Sequence, residues 1–393
     1  MNKRLGRRLG YGSSTHPDLI CFSHLRWNFV FQRPQHLMVR FARDRRVYFV
    51  EEPVFDDTRE PWIQLEMQDG VVVVLPHLPS GLSERDVAAA QRQMLDRLIT
   101  TEEIRRFVLW YYTPLALRFT DHLEPMRVAY DCMDELSLFK GASSDLPELE
   151  QQLLRRADVV FTGGQSLFEA KKANHPNIHA MPSSVDVAHF AAARHAVREP
   201  ADQLNIPSPR LGFFGVIDER LDIALLEGMA DARPHWQLVM VGPVVKIDPA
   251  ELPRRPNIHY LGAKTYAELP LYLGGWSVAL LPFARNEATR FISPTKTPEY
   301  LAAGRPVVST SIRDVMSPYG ELGLVAIADT VDEMVRACEA ALIQPDDSCW
   351  ARADAFLRGM SWDTTWRRMA SLLDGDAAVP GRAAQPSAAS AGA

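Results

Sequence analysis

The chain has 393 residues, of which 43 are basic and 49 acidic, so its formal net charge is −6. This length predicts two or three domains, and 47% hydrophobic with 23% charged residues excludes a globally disordered chain. The net acidity argues against a nucleic-acid-binding protein that relies on overall positive charge. The four cysteines are scattered and form no C-x-x-C pair. Their spacing excludes a zinc ribbon and favours a reducing, cytoplasmic setting.

The two ends of the chain differ in composition from the rest. Residues 1–15 are basic but lack the apolar stretch of a signal peptide. They predict a disordered leader, with a peripheral contact to anionic lipid at the inner membrane face as the alternative. Residues 376–393 are rich in Ala, Gly, Pro and Ser, which predicts a disordered tail. No apolar run approaches the ~18–20 residues that a membrane-spanning helix needs.

Short apolar segments alternate with helical patterns in the first half of the chain. Residues 18–22 (DLICF) predict a buried strand, and residues 35–43 an amphipathic helix. Asp69-Gly70 lies between two apolar runs and predicts a hairpin turn. Residues 84–106 have helical spacing, and further strands such as RVAYD and DVVFTG follow. The alternation predicts an α/β domain over residues 16–200, with a parallel sheet covered on both faces.

A second α/β series follows a polar, Pro-rich stretch at residues 194–209. Its apolar strands are RLGFFG, WQLVMVG, NIHYLG, SVALLPF and PVVST. They predict a second domain over residues 205–350, followed by helices at 351–375. Two α/β domains in tandem predict a ligand cleft at the carboxyl ends of their strands.

Several common catalytic motifs are absent from the sequence. It has no G-x-x-x-x-G-K-[ST], which excludes a P-loop nucleotide-binding enzyme. It has no G-x-S-x-G, which argues against an α/β-hydrolase. It also lacks H-E-x-x-H and any His/Cys cluster with the spacing of metal ligands, so we predict no metal site.

The most informative segment is FISPTKTPEYLAAGRPVVS, which starts at residue 291. Pro294, Thr297 and Pro298 indicate a loop that turns into a helix. Lys296 would lie beside the helix N-terminus, where an anion is favoured. Glu299 in the first turn could accept two hydrogen bonds from a vicinal diol such as ribose. The chemistry describes a nucleotide-sugar site, and the alternative is a capped helix with a surface Lys–Glu pair.

This segment resembles the nucleotide-sugar-binding part of GT-B glycosyltransferases. It is similar to retaining family 4, in particular to the teichuronic-acid and exopolysaccharide branch with its pattern P-x-K-x-x-E-Y-L-A-x-G-x-P-V. Other similar stretches follow in the family's order: WNFVFQRPQHL, CMDELSLF, MPSSVDVAHF, LGFFGVIDERLD and SWDTTWRRM. The resemblance covers about residues 18–373. It implies two Rossmann-like α/β domains facing each other across a cleft, with the C-terminal helices returning to the first domain.

The resemblance also implies an activity. The protein would move a hexose from a nucleotide-diphosphate sugar to a lipid-linked or polysaccharide acceptor in cell-surface or exopolysaccharide biosynthesis. The anomeric configuration of the donor would be retained. We expect no cofactor besides the donor substrate, and no metal, because cationic side chains would neutralise the diphosphate. The first domain would bind the acceptor and the second the nucleotide sugar.

Site residues follow from strand ends and from the matched motifs. Gly215 would let backbone approach the ligand closely, and Arg220 would contact phosphate. The predicted donor-binding residues are Gly215, Arg220, Pro294, Thr295, Lys296 and Glu299. The predicted catalytic residues are Asp131, Arg220 and Lys296. The acceptor-side candidates are His24, Arg33, Asp131 and Asp134. The alternatives for these last four are a solvated loop histidine, a surface arginine and turn-forming aspartates.

Four sites depart from the family pattern: Tyr130 stands where a His is usual, Ser183-Ser184 where Asn-Gly is usual, and the other two lie in the second domain. Phe291 stands where a Glu is usual, eight residues before Glu299, and Val216 follows Gly215 where an Arg is usual. These departures leave two alternatives open. One is a non-catalytic, nucleotide-sugar-binding partner of another transferase, and the other is a GT-B nucleotide-sugar epimerase.

Overall fold

The computed structural model of the protein describes residues 16–196, 198–343 and 347–375. The predicted leader at 1–15 and tail at 376–393 lie outside these described residues. Within the described part, none of the helices combines the length and the apolar character that crossing a membrane would require.

The first domain is built on a nine-stranded sheet. Its strands are β1 (Asp18–Phe22), β2 (Val47–Val50), β3 (Val54–Asp56), β4 (Trp62–Gln68), β5 (Val71–Pro79), β6 (Phe107–Tyr111), β7 (Arg127–Cys132), β8 (Val159–Thr162) and β9 (Ile178–Ala180). The order is β3-β5-β2-β1-β6-β7-β8-β9, and β4 pairs with β5. The β4–β5 pair is antiparallel and the other pairs are parallel. The predicted hairpin is confirmed, with Asp69 at φ 50° and Gly70 at φ 84° in the turn.

Helices cover both faces of this sheet. They are α1 (Arg33–Phe41), α2 (Glu84–Thr101), α3 (Leu117–Thr120), α4 (Leu146–Arg156) and α5 (Gln165–Lys171). The next helix, α6 (Val187–Ala191), packs on the second domain instead, with Phe190 in its core. Along β1, Ile20 and Phe22 belong to one core while Leu19 and Cys21 belong to the core on the opposite face. The continuous apolar run is therefore explained by burial of both faces. Helix α2 ends before residue 106, since Glu103 adopts a left-handed conformation with φ 53°.

A short helix, α7 (Ala201–Leu204), lies between the two sheets in sequence. The second sheet has six parallel strands in the order β12-β11-β10-β13-β14-β15. These strands are β10 (Arg210–Phe214), β11 (Gln237–Val241), β12 (Ile258–Gly262), β13 (Val278–Leu281), β14 (Val307–Ser309) and β15 (Ala326–Ile327). Its helices are α8 (Ile223–Ala232), α9 (Leu269–Gly274), α10 (Lys296–Ala302), α11 (Arg313–Val315) and α12 (Val331–Ile343). The predicted pair of α/β domains is confirmed.

The last two helices, α13 (Asp347–Leu357) and α14 (Trp362–Asp374), pack on different domains. Ala353 and Leu357 of α13 join the core of the second domain. Trp362 and Met369 of α14 join the core of the first domain. The return of the chain to the first domain is therefore made by α14 alone, and not by the whole of 351–375.

Side chains of the second domain also contact the first directly. The Ser166 N–H, in the first turn of α5, donates a hydrogen bond of 2.9 Å to Asp314 Oδ1. The Tyr266 ring stacks on His189 at a centroid distance of 4.3 Å and lies 5.0 Å from Phe31. These contacts hold the carboxyl edges of the two sheets against each other across a cleft.

Candidate functional site

A pocket of about 440 Å³ lies between the two domains. Loops after β1 and β7 of the first domain line it, as do loops after β10 and β11 of the second. They bring together His24, Asp134, Arg220 and Lys246. Because the strands of each domain are parallel, the loops at their carboxyl ends meet at one edge, where ligands of such sheets bind.

Lys296 crosses the end of strand β10. A Cβ built on Gly215 would lie 2.2 Å from Cε and 2.7 Å from Nζ of Lys296. Gly215 also has φ +137°, a conformation that side chains disfavour. The sequence predicted that Gly215 admits a ligand, and the structure shows that it admits the Lys296 side chain.

The register of α10 against β10 is fixed by a buried hydrogen bond. The backbone N–H of Phe214 donates to the hydroxyl oxygen of Tyr300 at 2.9 Å. Tyr300 is fully buried in the core of the second domain. This contact anchors α10 and thereby the positions of Lys296 and Glu299. The predicted donor residues Pro294 and Thr295 lie partly exposed in the loop before the helix.

Two cations of the second domain lie close together in this region. Arg220 is paired with Asp218 at 2.7 Å. Among the described residues, no carboxylate lies within 4 Å of the Lys296 ammonium, which makes no ion pair. Burial lowers the pKa of Lys296, and the positive charge of Arg220 lowers it further. Both causes disfavour the protonated amine, so an anion bound here would be stabilising.

Glu299 lies one turn further along α10 and is 8% exposed. Burial raises its pKa, while the nearby charge of Lys296 opposes that shift. In the described part of the chain, its carboxyl makes no hydrogen bond to another side chain or to backbone. A pair of hydroxyls brought against the carboxyl would supply the hydrogen bonds that it lacks.

Arg33 and Asp131 are placed differently from the prediction. Arg33 donates three hydrogen bonds to the two carboxylate oxygens of Asp131, the shortest at 2.8 Å, and another to the Met181 carbonyl at 2.6 Å. Their side chains are 1% and 0% exposed. Since each neutralises the other out of reach of solvent, we assign them to the structure of the first domain. The predicted catalytic and acceptor roles of Asp131, and the acceptor role of Arg33, are corrected on this ground.

Asp134 and His24 do line the pocket. Burial raises the pKa of Asp134 to about 6, although Arg220 and Lys296 both oppose the shift. Burial lowers the pKa of His24 to about 4, and Lys246 contributes in the same direction. His24 Nδ1 is buried without a hydrogen-bond partner. These two are the acceptor-side candidates that the structure brings to the cleft.

Sequence reasoning missed Lys246 and Phe139. The Phe139 ring, from the first domain, lies 5.7 Å from the Arg220 guanidinium and 5.2 Å from the Lys246 ammonium. Such distances are those of cation–π contacts. Lys246 has a left-handed backbone with φ 63°. Its place just after a parallel strand is the signal that could have identified it.

The two departures from the family pattern in the second domain also have defined places. Phe291 packs against the core of the first domain, with the Arg290 guanidinium 5.1 Å from its ring. It makes an apolar contact between domains. Val216 lines the interdomain pocket.

The chain is similar to known glycosyltransferases in sequence and in fold. Residues 208–344 match the family Glycosyl transferases group 1. The chain is 26% identical over 284 residues to TuaH of Bacillus subtilis (strain 168), for which a role as a teichuronic acid biosynthesis glycosyltransferase is proposed. The match covers 67% of this chain and 71% of TuaH.

Solved structures show the same architecture. Sucrose-phosphate synthase from Thermosynechococcus elongatus aligns with a TM-score of 0.69 at 13% identity, covering 92% of this chain and 99% of that one. Anabaena Alr3699/HepE in complex with UDP and glucose aligns with a TM-score of 0.67 at 13% identity, covering 91% and 100%. These alignments confirm the predicted GT-B fold.

Proposed function

We propose that the protein is a GT-B glycosyltransferase whose second domain belongs with the Glycosyl transferases group 1 that it matches. It would move a hexose from a nucleotide-diphosphate sugar to a lipid-linked or polysaccharide acceptor. The reaction would take place on the cytoplasmic side of the membrane, as a step in the synthesis of a cell-surface polymer. The similarity to TuaH supports the polymer class.

One observation carries the proposal: Lys296 and Glu299 lie three residues apart on one helix, and the Lys296 ammonium is near enough to Arg220 and Asp134 of the interdomain pocket for their charges to act on its pKa. Lys296 has no ion-pair partner among the described residues, and its pKa is lowered. A diphosphate would supply the missing negative charge, and the ribose diol would supply donors to Glu299. The spacing along α10 therefore matches two adjoining parts of one nucleotide.

The same cations account for a catalytic effect. As the bond between the anomeric carbon and the diphosphate oxygen breaks, negative charge grows on the leaving group. Lys296 and Arg220 are already in place to stabilise it, so little reorganisation is needed during the reaction. Asp134 lies on the opposite wall, where its carboxylate can accept a hydrogen bond from the attacking hydroxyl of the acceptor.

We expect the donor's anomeric configuration to be retained. The similarity to the retaining branch supports this expectation. With an α-configured donor, NMR of the product should show an α-glycoside. A β-linked product would place the enzyme in a different mechanistic class.

We also expect turnover to be independent of divalent metal, because Lys296 and Arg220 can neutralise the diphosphate themselves. Assays in EDTA should give nearly the same kcat as assays with added Mg²⁺. A loss in EDTA that Mg²⁺ or Mn²⁺ reverses would contradict the expectation.

Glu299→Gln should weaken donor binding about ten-fold and change kcat less. The ribose contact is the same in the ground state and the transition state, so removing it affects binding uniformly. The variant should also discriminate less between ribose and 2′-deoxyribose donors. Glu287→Gln, at an exposed position in the second domain, is the matched control. Equal effects in both variants would show that Glu299 does not contact the ribose.

Phe291 supports a second candidate function, a non-catalytic subunit that binds a nucleotide sugar. At this position the chain makes an apolar contact with the first domain where the similar family carries a carboxylate. Donor binding without turnover, across a broad panel of acceptors, would establish that function.

A further inference from the structure

A second cavity, of about 350 Å³, lies entirely within the first domain. It opens at the carboxyl ends of β1 and β2, beside the first turns of α2. Most of its wall is apolar. The apolar lining residues include Phe22, Val50, Phe55, Val87, Ala88 and Leu115. Its volume is within the range of small-ligand sites, about 300–1,000 Å³.

This cavity adjoins the interdomain pocket. Glu52, Thr113 and Leu115 line both spaces. A molecule that fills the cavity would therefore extend directly towards the side of the cleft formed by His24 and Asp134. The cavity is on the acceptor side, because the donor residues lie on the second domain.

Its polar groups are mostly engaged elsewhere. Glu51 accepts a hydrogen bond of 2.7 Å from the Trp27 N–H and pairs with Arg26. Arg118 pairs with Asp145 at 2.7 Å. Glu84 pairs with Arg118 as well, so Glu52, where the two spaces meet, is the charged lining residue without an ion pair among the described residues. Away from Glu52, the cavity offers a ligand mainly apolar contact.

One side of the mouth is apolar, whereas the exposed Glu84 lies on the other lining element, α2. Phe55, on the edge strand β3, is 50% exposed. Burial of such a side chain by a ligand is favourable at roughly 25 cal/mol per Å². Nothing in the reaction of a hydrophilic sugar chain would require this surface.

We propose that this cavity binds the apolar chain of a lipid-linked acceptor, namely the part of the chain next to its phosphate. The inference rests on the proposed function and selects the lipid-linked acceptor over a free polysaccharide. A cavity of about 350 Å³ admits one slender chain and not a protein surface. The phosphate and sugar of the acceptor would then occupy the interdomain pocket, where Asp134 meets the attacking hydroxyl.

The test uses two tryptophan substitutions in α2. Ala88 lines the cavity, whereas its neighbour Ala89 is exposed and does not. Ala88→Trp fills the cavity, and Ala89→Trp is the matched control. Farnesyl phosphate serves as the probe, with farnesol and inorganic phosphate as competitors, and calorimetry gives the dissociation constants.

The proposal predicts that farnesyl phosphate binds wild type and Ala89→Trp equally, and Ala88→Trp at least ten-fold more weakly. Farnesol should compete, because the chain is what the cavity recognises, and inorganic phosphate should not. Equal binding to all three proteins, or competition by phosphate alone, would overturn it.

Binding of UDP and GDP sugars, measured on the same samples, distinguishes failure of the lipid site from failure of the proposed transferase function. Intact donor binding with no farnesyl phosphate binding would overturn the lipid site and leave the transferase proposal standing. If none of these sugar nucleotides binds to the wild type, the transferase proposal itself is overturned.

Discussion

Lys296→Ala should lower kcat/KM for the donor about ten- to a hundred-fold. A hydrogen bond to a charged group contributes about 1.5–3 kcal/mol, and each 1.36 kcal/mol corresponds to about ten-fold in rate. Part of the loss should fall on kcat, because the contact strengthens as charge develops on the leaving diphosphate. Steady-state kinetics with donor and acceptor varied separately measures both parts.

The matched control is Lys172→Ala. Lys172 is exposed and pairs with Glu169 on the surface of the first domain. Its removal should leave kcat and KM within experimental error of wild type. If Lys296→Ala stays folded and also turns over donor like wild type, the diphosphate does not bind at α10.

Asp131→Ala should lower the free energy of unfolding by about 3–5 kcal/mol, the usual cost of breaking a buried ion pair by removing one partner. Among the described residues, the substitution leaves the buried Arg33 guanidinium with the Met181 carbonyl and the Met369 sulfur as its hydrogen-bond partners. Urea denaturation, followed by far-UV circular dichroism and by fluorescence, measures the decrease in the free energy of unfolding. The same variant, where folded, should bind donor nearly as well as wild type.

Two controls distinguish pairing from a general effect. Asp121→Ala removes an exposed partner of Arg92 and should cost less than about 1 kcal/mol. The double variant Arg33→Met, Asp131→Leu leaves no uncompensated charge, so it should be more stable than Asp131→Ala. If Asp131→Ala is as stable as wild type, the Arg33–Asp131 pair contributes nothing to the free energy of unfolding.

The fold could be predicted from the sequence because its signals are local and repeated. Buried parallel strands are continuous apolar runs, and β1 and β10 each stand between polar turns in the printed sequence. The Asp69-Gly70 hairpin followed from two residues that tolerate positive φ. The end of α2 could not be placed, because the left-handed Glu103 has no distinguishing residue type.

The relative placement of the two proposed donor-binding residues on α10 was predictable for a related reason. Lys296 and Glu299 are three residues apart on one helix, so their relation is fixed by local geometry. The acceptor side was not. Asp131 could face the cleft or pair with Arg33, and which of the two occurs depends on packing between residues 98 positions apart. No sequence pattern reports that contact. Lys246 and Phe139 likewise meet only through the approach of two domains.

The central claim is that the cleft binds a nucleotide diphosphate through α10, and thermal-shift titration tests it most directly. Wild type, Lys296→Ala and Lys172→Ala are titrated with a panel of UDP, GDP and ADP sugars and with the corresponding nucleoside monophosphates. A ligand at a hundred times its Kd stabilises the folded state by about 2.7 kcal/mol. At least one sugar nucleotide should raise the Tm of wild type and Lys172→Ala, and raise that of Lys296→Ala far less. Equal Tm shifts in all three proteins, or no shift with any sugar nucleotide, would contradict the claim.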